Sequence, residues 1–175
     1  MKRILVLGIA VAALVGSGFA YSATSGGGAP AGPAVWGGGH VAFTIEGTSF
    51  ARDFSVLARQ PGGRIVFAAS GVHFEGDVTC VRVFGKTAAV AGFVTAPAHY
   101  AGMVFEWFAT DNGTLGDGGA PDQVTPVLIL SDEDLAAEGV PPAYPHVCLT
   151  WLPEFGEYMA DLTAGDVVVQ QGAGS

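Results

Sequence analysis

Tight turns punctuate this chain too often for anything but short strands to fit between them. Pro61-Gly62-Gly63, Ser70-Gly71, Gly85-Lys86, Asn112-Gly113 and Ala164-Gly165-Asp166 are all turn-forming. Each supplies the φ or the side-chain acceptor that a chain reversal needs. Between them apolar residues recur with period two. Val41, Phe43 and Ile45 alternate with His40, Ala42, Thr44 and Glu46; Phe54 and Val56 alternate with Asp53 and Ser55; Phe74, Val78 and Cys80 alternate with His73, Glu75, Asp77 and Thr79. Ile65–Ala69, Thr87–Thr95, Val104–Thr110, Val124–Leu130, Tyr144–Leu152 and Asp166–Gln170 complete the series. Such alternation, rich in β-branched and aromatic residues, marks half-buried strands. Parallel neighbours need a crossover of about a dozen residues, which these intervals do not hold. The expected fold is therefore all-β, an antiparallel β-sandwich or barrel of about eight or nine strands with one short helix in a loop.

That helix is expected from Ser131 onward. Ser131-Asp132-Glu133-Asp134 resembles a capping box with acids in the first turn, Leu135-Ala136-Ala137-Glu138 continues it, and Gly139 with Pro141-Pro142 ends it. The 175 residues are 50% hydrophobic and 13% charged, too apolar for disorder and the right length for one domain. Lys2 and Arg3 precede an apolar run from Ile4 to Gly16, then Gly18-Phe19-Ala20. A basic start, an apolar stretch too short to span a bilayer and a small-residue cleavage site make a secretory leader. We assign 1–23 as signal peptide, 24–35 as a Gly/Pro-rich spacer, 36–170 as the secreted β-domain and 171–175 as a tail. Cleavage after Ala20, Ser22 or Ala23 fits the pattern. The exported chain keeps five basic residues (Arg52, Arg59, Arg64, Arg82, Lys86) against sixteen acidic ones, a net charge of −11. That balance argues against nucleic acid as a partner and against anionic lipid. No second apolar stretch reaches spanning length, so the cleaved protein is expected to be soluble outside the cell.

Cys80 and Cys148 are the two cysteines, and in an exported chain they most simply form one disulfide; two buried free thiols are the alternative. A zinc site needs more ligands than these two supply. Asp111-Asn112-Gly113 through Asp122 is a loop rich in oxygen donors, with Asp111, Asp117 and Asp122 as candidate ligands for a structural Ca²⁺. Its spacing is not that of an EF-hand, and the same residues serve equally as turn formers. Of His40, His73, His99 and His146 none stands at metal-ligand spacing from another His or Cys except His146, two residues before Cys148, and His40 and His73 read as exposed strand residues. Glu75, Asp77 and Glu106 lie on strands, where two acids facing each other would suit glycoside hydrolysis, although acids on a solvent face are ordinary. The sequence has no Gly-x-Ser-x-Gly, no His-Glu-x-x-His and no P-loop. Gly37-Gly38-Gly39 opens a strand rather than a helix, which points to a close backbone approach or a bulge. Trp36, Trp107 and Trp151, with Phe105, Phe108, Phe155 and Tyr158, form an aromatic set that reads either as core packing or as an exposed face on which carbohydrate could stack.

The order of these motifs resembles a known family. Gly37-Gly38-Gly39-His40, the Phe50–Ala58 strand, the stretch from Val72 to Ala88 with Val78-Thr79-Cys80 at its centre, Gly92-Phe93-Val94-Thr95, Asp111-Asn112-Gly113 and Gly165-Asp166-Val167-Val168-Val169 are together similar to secreted bacterial β-domains of the post-COAP type. The resemblance spans roughly residues 36–170. It implies an exported all-β module with two cysteines and brings no catalytic residue with it. Lys86 and Asp166 stand where that pattern has Asn, and Pro141–Pro145 lengthens the segment before Cys148. The expectation is a secreted, non-catalytic binding or envelope-associated module of unknown extracellular ligand. The competing expectation is an extracellular hydrolase using Glu75, Asp77 or Glu106.

Overall fold

A computed structural model describes residues 32–45, 47–60, 62–69, 72–113, 119–137, 148 and 158–172. The expected leader, most of the spacer, the end of the tail, and the Tyr144–Leu152 strand apart from Cys148 lie outside them. Among the described residues are nine strands: β1 Ala34–Ile45, β2 Thr48–Arg59, β3 Gly63–Ala69, β4 Val72–Phe84, β5 Thr87–Ala96, β6 Val104–Thr110, β7 Gln123–Val124, β8 Leu128–Leu130 and β9 Ala160–Gln170. A single helical turn, Ala98–Tyr100, follows β5, and one α-helix, α1 Asp132–Ala137, follows β8.

The sheet closes on itself. Strands β1 to β6 form an antiparallel meander, each paired with its predecessor. The sheet order is β5-β4-β3-β2-β1-β9-β7-β6, and β6 returns to β5, so eight strands make a barrel; β8 extends the β7 edge of β6. Of the two expected architectures the chain adopts the barrel. Consecutive pairing explains why two-residue turns suffice, with Gly85-Lys86 reversing β4 into β5. The last strand then inserts beside the first, Ala34 opposite Gln170 and Gly37 opposite Val167.

Alternation decides what fills the interior. Val35, Val41, Phe43, Phe54, Val56, Ile65, Phe67, Phe74, Val90, Phe105, Trp107 and Val167 all point inward and are buried. Five rings form a continuous stack across the lumen. Phe54 lies 5.5 Å from Phe67 and 5.6 Å from Trp107, and Phe105 meets Phe74 edge-on at 5.6 Å. Two glycines make room for Phe105: a Cβ on Gly76 would fall 2.4 Å from its ring, and one on Gly92 would fall 2.9 Å from it. The lumen is therefore a packed core rather than a cavity of ligand size.

The outer wall of β4, β5 and β6 is buried as well. Cys80, Ala89, Ala91 and Phe108 face outward there and pack with Cys148, Leu128, Tyr158 and Met159. Cys80 and Cys148 form a disulfide, their Cα atoms 5.6 Å apart, which fastens the segment between β8 and β9 to the barrel wall. Both faces of β6 are thus buried, Glu106 included, which accounts for the aromatic residues on both sides of this strand. Helix α1 begins as expected: the Asp134 amide donates to Ser131 Oγ while Ser131 N–H and O–H donate to Asp134 Oδ2. These bonds hold the Asp134 carboxyl below its usual range.

Three details differ from expectation or refine it. Strand β1 starts at Ala34 rather than Trp36, because Val35 is fully buried in the barrel and Ala34 pairs with Arg59. The apolar run from Val124 to Leu130 is two strands, because Pro126 has no N–H to donate to the ladder. At the break, Thr125 N donates to the Phe108 carbonyl and Phe108 N to Thr125 Oγ1. The glycine triplet does serve a close approach. Gly37 has φ +145, and a Cβ there would lie 2.2 Å from the Asp166 carbonyl; Gly165, with φ +100, presses equally close on Gly38.

Candidate functional site

One seam of the barrel is not closed by backbone alone. Strand β9 pairs with β1 along one edge, but along the other it meets β7 only at Ala160 and Asp161. One further bond runs from Leu162 N to the Asp122 carbonyl. Beyond that point β6 and β7 diverge into the 111–122 connection, and the remaining β9 amides need other acceptors. Two carboxylates supply them. Asp122 Oδ2 accepts from Val167 N at 2.8 Å, and its Oδ1 accepts from Asn112 N at 2.8 Å. Asp111 Oδ2 accepts from Val169 N at 3.1 Å, and its Oδ1 accepts from Gly113 N at 2.9 Å. Asn112 Nδ2 donates to the Pro121 carbonyl, and Asp111 N to the Lys86 carbonyl. Asp122 is 3% exposed, so its charge is satisfied by amides rather than by water.

A third acid joins them. Asp166 is exposed on β9 next to the buried Val167. Partial burial raises its carboxyl above the ordinary range, and the charge of Asp122, a hydrogen bond shared with Asp122 and the charge of Asp111 raise it further. The ion pairs found among the described residues join His40 to Asp53 and both Arg64 and His73 to Glu75; none reaches this seam. Of the three expected loop acids, then, Asp111 and Asp122 come together, and Asp117 lies outside the described residues. No group of three His, Cys, Asp or Glu among the described residues is placed to hold a metal ion. Sequence reasoning overlooked Asp166, which reads there as the end of a turn and the start of a strand, whereas Ala164-Gly165-Asp166 lies inside β9. Its position next to the apolar run Val167-Val168-Val169 was the available signal.

The other candidates spread over the outer surface. On β4, Glu75 and Asp77 flank the inward Gly76 and so face outward; Glu75 is already engaged by His73 and Arg64. Glu106 is also on the outer side, but it is 1% exposed and separated from both by the whole of β5. His40 Nδ1 lies 2.8 Å from Asp53 Oδ1 on the neighbouring strand, and His99 packs on Tyr100 in the turn after β5. His146 lies outside the described residues.

The aromatic set divides. Trp107 and Phe105 are core, Phe108 and Tyr158 belong to the covered outer wall, and Trp151 and Phe155 lie outside the described residues. Among the described members of the set, Trp36 alone stands on the open outer face of β1, half-buried, opposite Leu57 of β2 and Val168 of β9. Leu57 is 45% exposed, the large hydrophobic residue most open to solvent among the described residues.

Comparisons with family models, with curated proteins and with solved structures return no match to this chain. No helix among the described residues is long and apolar enough to cross a membrane.

Proposed function

We propose that the chain is an exported, non-catalytic recognition module of the post-COAP type, and that it binds a component of the bacterial cell envelope through the outer face of β1 and β2. The packed lumen carries this reading: Phe54, Phe67, Phe74, Phe105 and Trp107 occupy the space where barrels with hollow interiors take their ligands. Contacts with a ligand then fall on the outside. There Trp36 and Leu57 form an apolar pair, and the polar His40–Asp53 pair lies further along the same face past Gly38 and Ser55, an aromatic anchor on a surface that also carries hydrogen-bonding groups. The leader-like start and the Cys80–Cys148 bond support a destination outside the cytoplasm. The excess of acids favours a neutral or cationic partner.

The test is sedimentation of the exported chain with isolated bacterial cell envelopes. The wild type is expected to pellet with the envelopes, and Trp36→Ala to release most of it without lowering the melting temperature. A chain that stays in the supernatant, or a Trp36→Ala variant that pellets like the wild type, overturns the reading. N-terminal sequencing of the exported protein checks its other half, with a start after Ala20, Ser22 or Ala23 expected.

A further inference from the structure

We propose that the free edge of β2, residues Thr48–Arg52, is a strand-pairing surface for a second copy of this chain, and that Arg52 holds it shut by capping the Ala51 carbonyl. The proposal is independent of what the outer face of β1 and β2 binds.

Strand β2 outruns one of its neighbours. Its ladder with β1 continues until Thr48 lies opposite Ile45, but its ladder with β3 stops where Asp53 lies opposite Ala68. Thr48–Arg52 therefore meet β1 on one side and, among the described residues, no strand on the other. Two bonds at the far end of β2 set the direction of its backbone groups. Arg59 N donates to the Gly62 carbonyl on the β3 side, and Gln60 N to the Pro33 carbonyl on the β1 side. These groups alternate along a strand, and neither ladder of β2 shifts register. Ser49 and Ala51 thus turn their N–H and C=O toward the free side, while Thr48, Phe50 and Arg52 turn theirs toward β1.

An edge of this kind is a template for another strand. Thr48-Ser49-Phe50-Ala51 holds no charge and no proline to discourage one. Arg52 supplies the deterrent. It lies opposite the buried Val41, on the same side of β2 as Phe50. Its Cζ sits 5.0 Å from the centre of the Phe50 ring, and its Nη1 donates to the Ala51 carbonyl at 2.8 Å. The guanidinium occupies the acceptor that an incoming N–H would need. It is half-buried, and none of the ion pairs found among the described residues includes it.

The same charge acts against one partner in particular. Antiparallel pairing about a two-fold axis sets this strip against itself, so a second copy completes it without any other sequence. Such pairing also brings two Arg52 guanidiniums together and withdraws them from water, with no carboxylate on the strip to pair them. In the single chain each guanidinium keeps its ring and its carbonyl instead.

The experiment uses Arg52→Met, which keeps a long side chain on the Phe50 ring and removes both charge and cap. Sedimentation equilibrium over a concentration series reads self-association, and amide exchange reads the edge. The wild type should stay monomeric, with the Ser49 and Ala51 amides exchanging fast and the Phe50 amide protected by β1. Arg52→Met should dimerise at least about tenfold more tightly, and its Ser49 and Ala51 amides should gain protection as concentration rises. Adding Ala51→Pro removes an edge N–H without touching the β1 ladder and should restore the monomer. Adding Ala42→Pro, on β1 beyond its last pair with β9, tests the opposite edge of the same hairpin and should leave the dimer intact. Misfolding does not mimic this result, because it strips protection from Phe50 whereas strand pairing adds it to Ala51. An Arg52→Met chain that stays monomeric overturns the proposal, as does a dimer that survives Ala51→Pro or is broken by Ala42→Pro. The wild type alone supplies a further check: an Ala51 amide already protected in the monomer means that the edge is not free, and refutes the idea.

Discussion

Truncating Asp122 to alanine removes both acceptors at the point where the barrel closes. The Val167 amide that loses its partner belongs to a fully buried residue, so no water replaces the carboxylate. A buried donor left unpaired costs roughly 1–3 kcal/mol, and bonds to charged acceptors lie at the upper end. Asn112 N loses its partner too, but Asn112 is half-exposed and water repays part of the loss. Relief of repulsion with Asp166 returns a little more. The sum is a loss of about 3 kcal/mol, more than a hundredfold in the folding equilibrium at about 1.4 kcal/mol per factor of ten. For a domain of this size that is on the order of 10 °C in melting temperature. Urea unfolding followed by tryptophan fluorescence reads it directly, because Trp107 sits in the core. Asp122→Asn keeps one acceptor oxygen and should lose about half as much. A loss under about 1 kcal/mol for Asp122→Ala would refute the argument that this carboxylate seals the seam. Since amides already occupy both carboxylates, millimolar Ca²⁺ or EDTA should leave the wild-type melt unchanged; a rise of several degrees with Ca²⁺ would reassign the loop as a cation site.

Replacing Cys80 and Cys148 by serine opens a link across 68 residues, which in the chain-entropy view costs about 4 kcal/mol, read by chemical unfolding with and without reductant. An unchanged midpoint would mean the bond is not formed in solution. Gly76→Ala drives a methyl into the Phe105 ring and should cost about 1–3 kcal/mol, and Phe105→Leu in the same chain should recover part of that cost. Strict additivity of the two changes would show that they do not touch. Trp107→Ala should cost about 3–5 kcal/mol by calorimetry, against little for Trp36→Ala, because only the first empties the core.

Much of the wall of this barrel is legible in single residues. The alternation around Val41, Phe54 and Phe74 names the inward side chains, and Gly62-Gly63 and Gly85-Lys86 stand at reversals, but Ala164-Gly165-Asp166, expected as a turn, lies inside β9, where Gly165 permits the close approach to β1. Pro126 marks a break inside an apolar run that composition alone joins. Closure is another matter, since it rests on pairs such as Ala34 with Gln170 that no local pattern announces. The acid loop was half legible. Asp111 and Asp122 stand out as oxygen donors, yet their partners are Val169 and Val167, far along the chain, so the sequence cannot tell a ligand cage from a set of backbone acceptors. Glu106 shows the same limit: alternation puts it outside the barrel, and no local pattern announces that it is buried there or that Cys148, Leu128, Tyr158 and Met159 pack on the same outer wall.

The pairing of the first strand with the last also governs how the chain is made. A meander adds each strand to its predecessor as it emerges, but β1 keeps one edge open until β9 arrives. That waiting edge runs through Gly37, Gly38 and Gly39, where side chains do nothing to shield the backbone from other strands. Most of the molecule must therefore be synthesised and brought together before the ring shuts, and long-range closure is the slow step of β-proteins. Until then the nascent barrel is an open sheet with a sticky margin, and its vulnerability to aggregation belongs to that interval rather than to the finished fold.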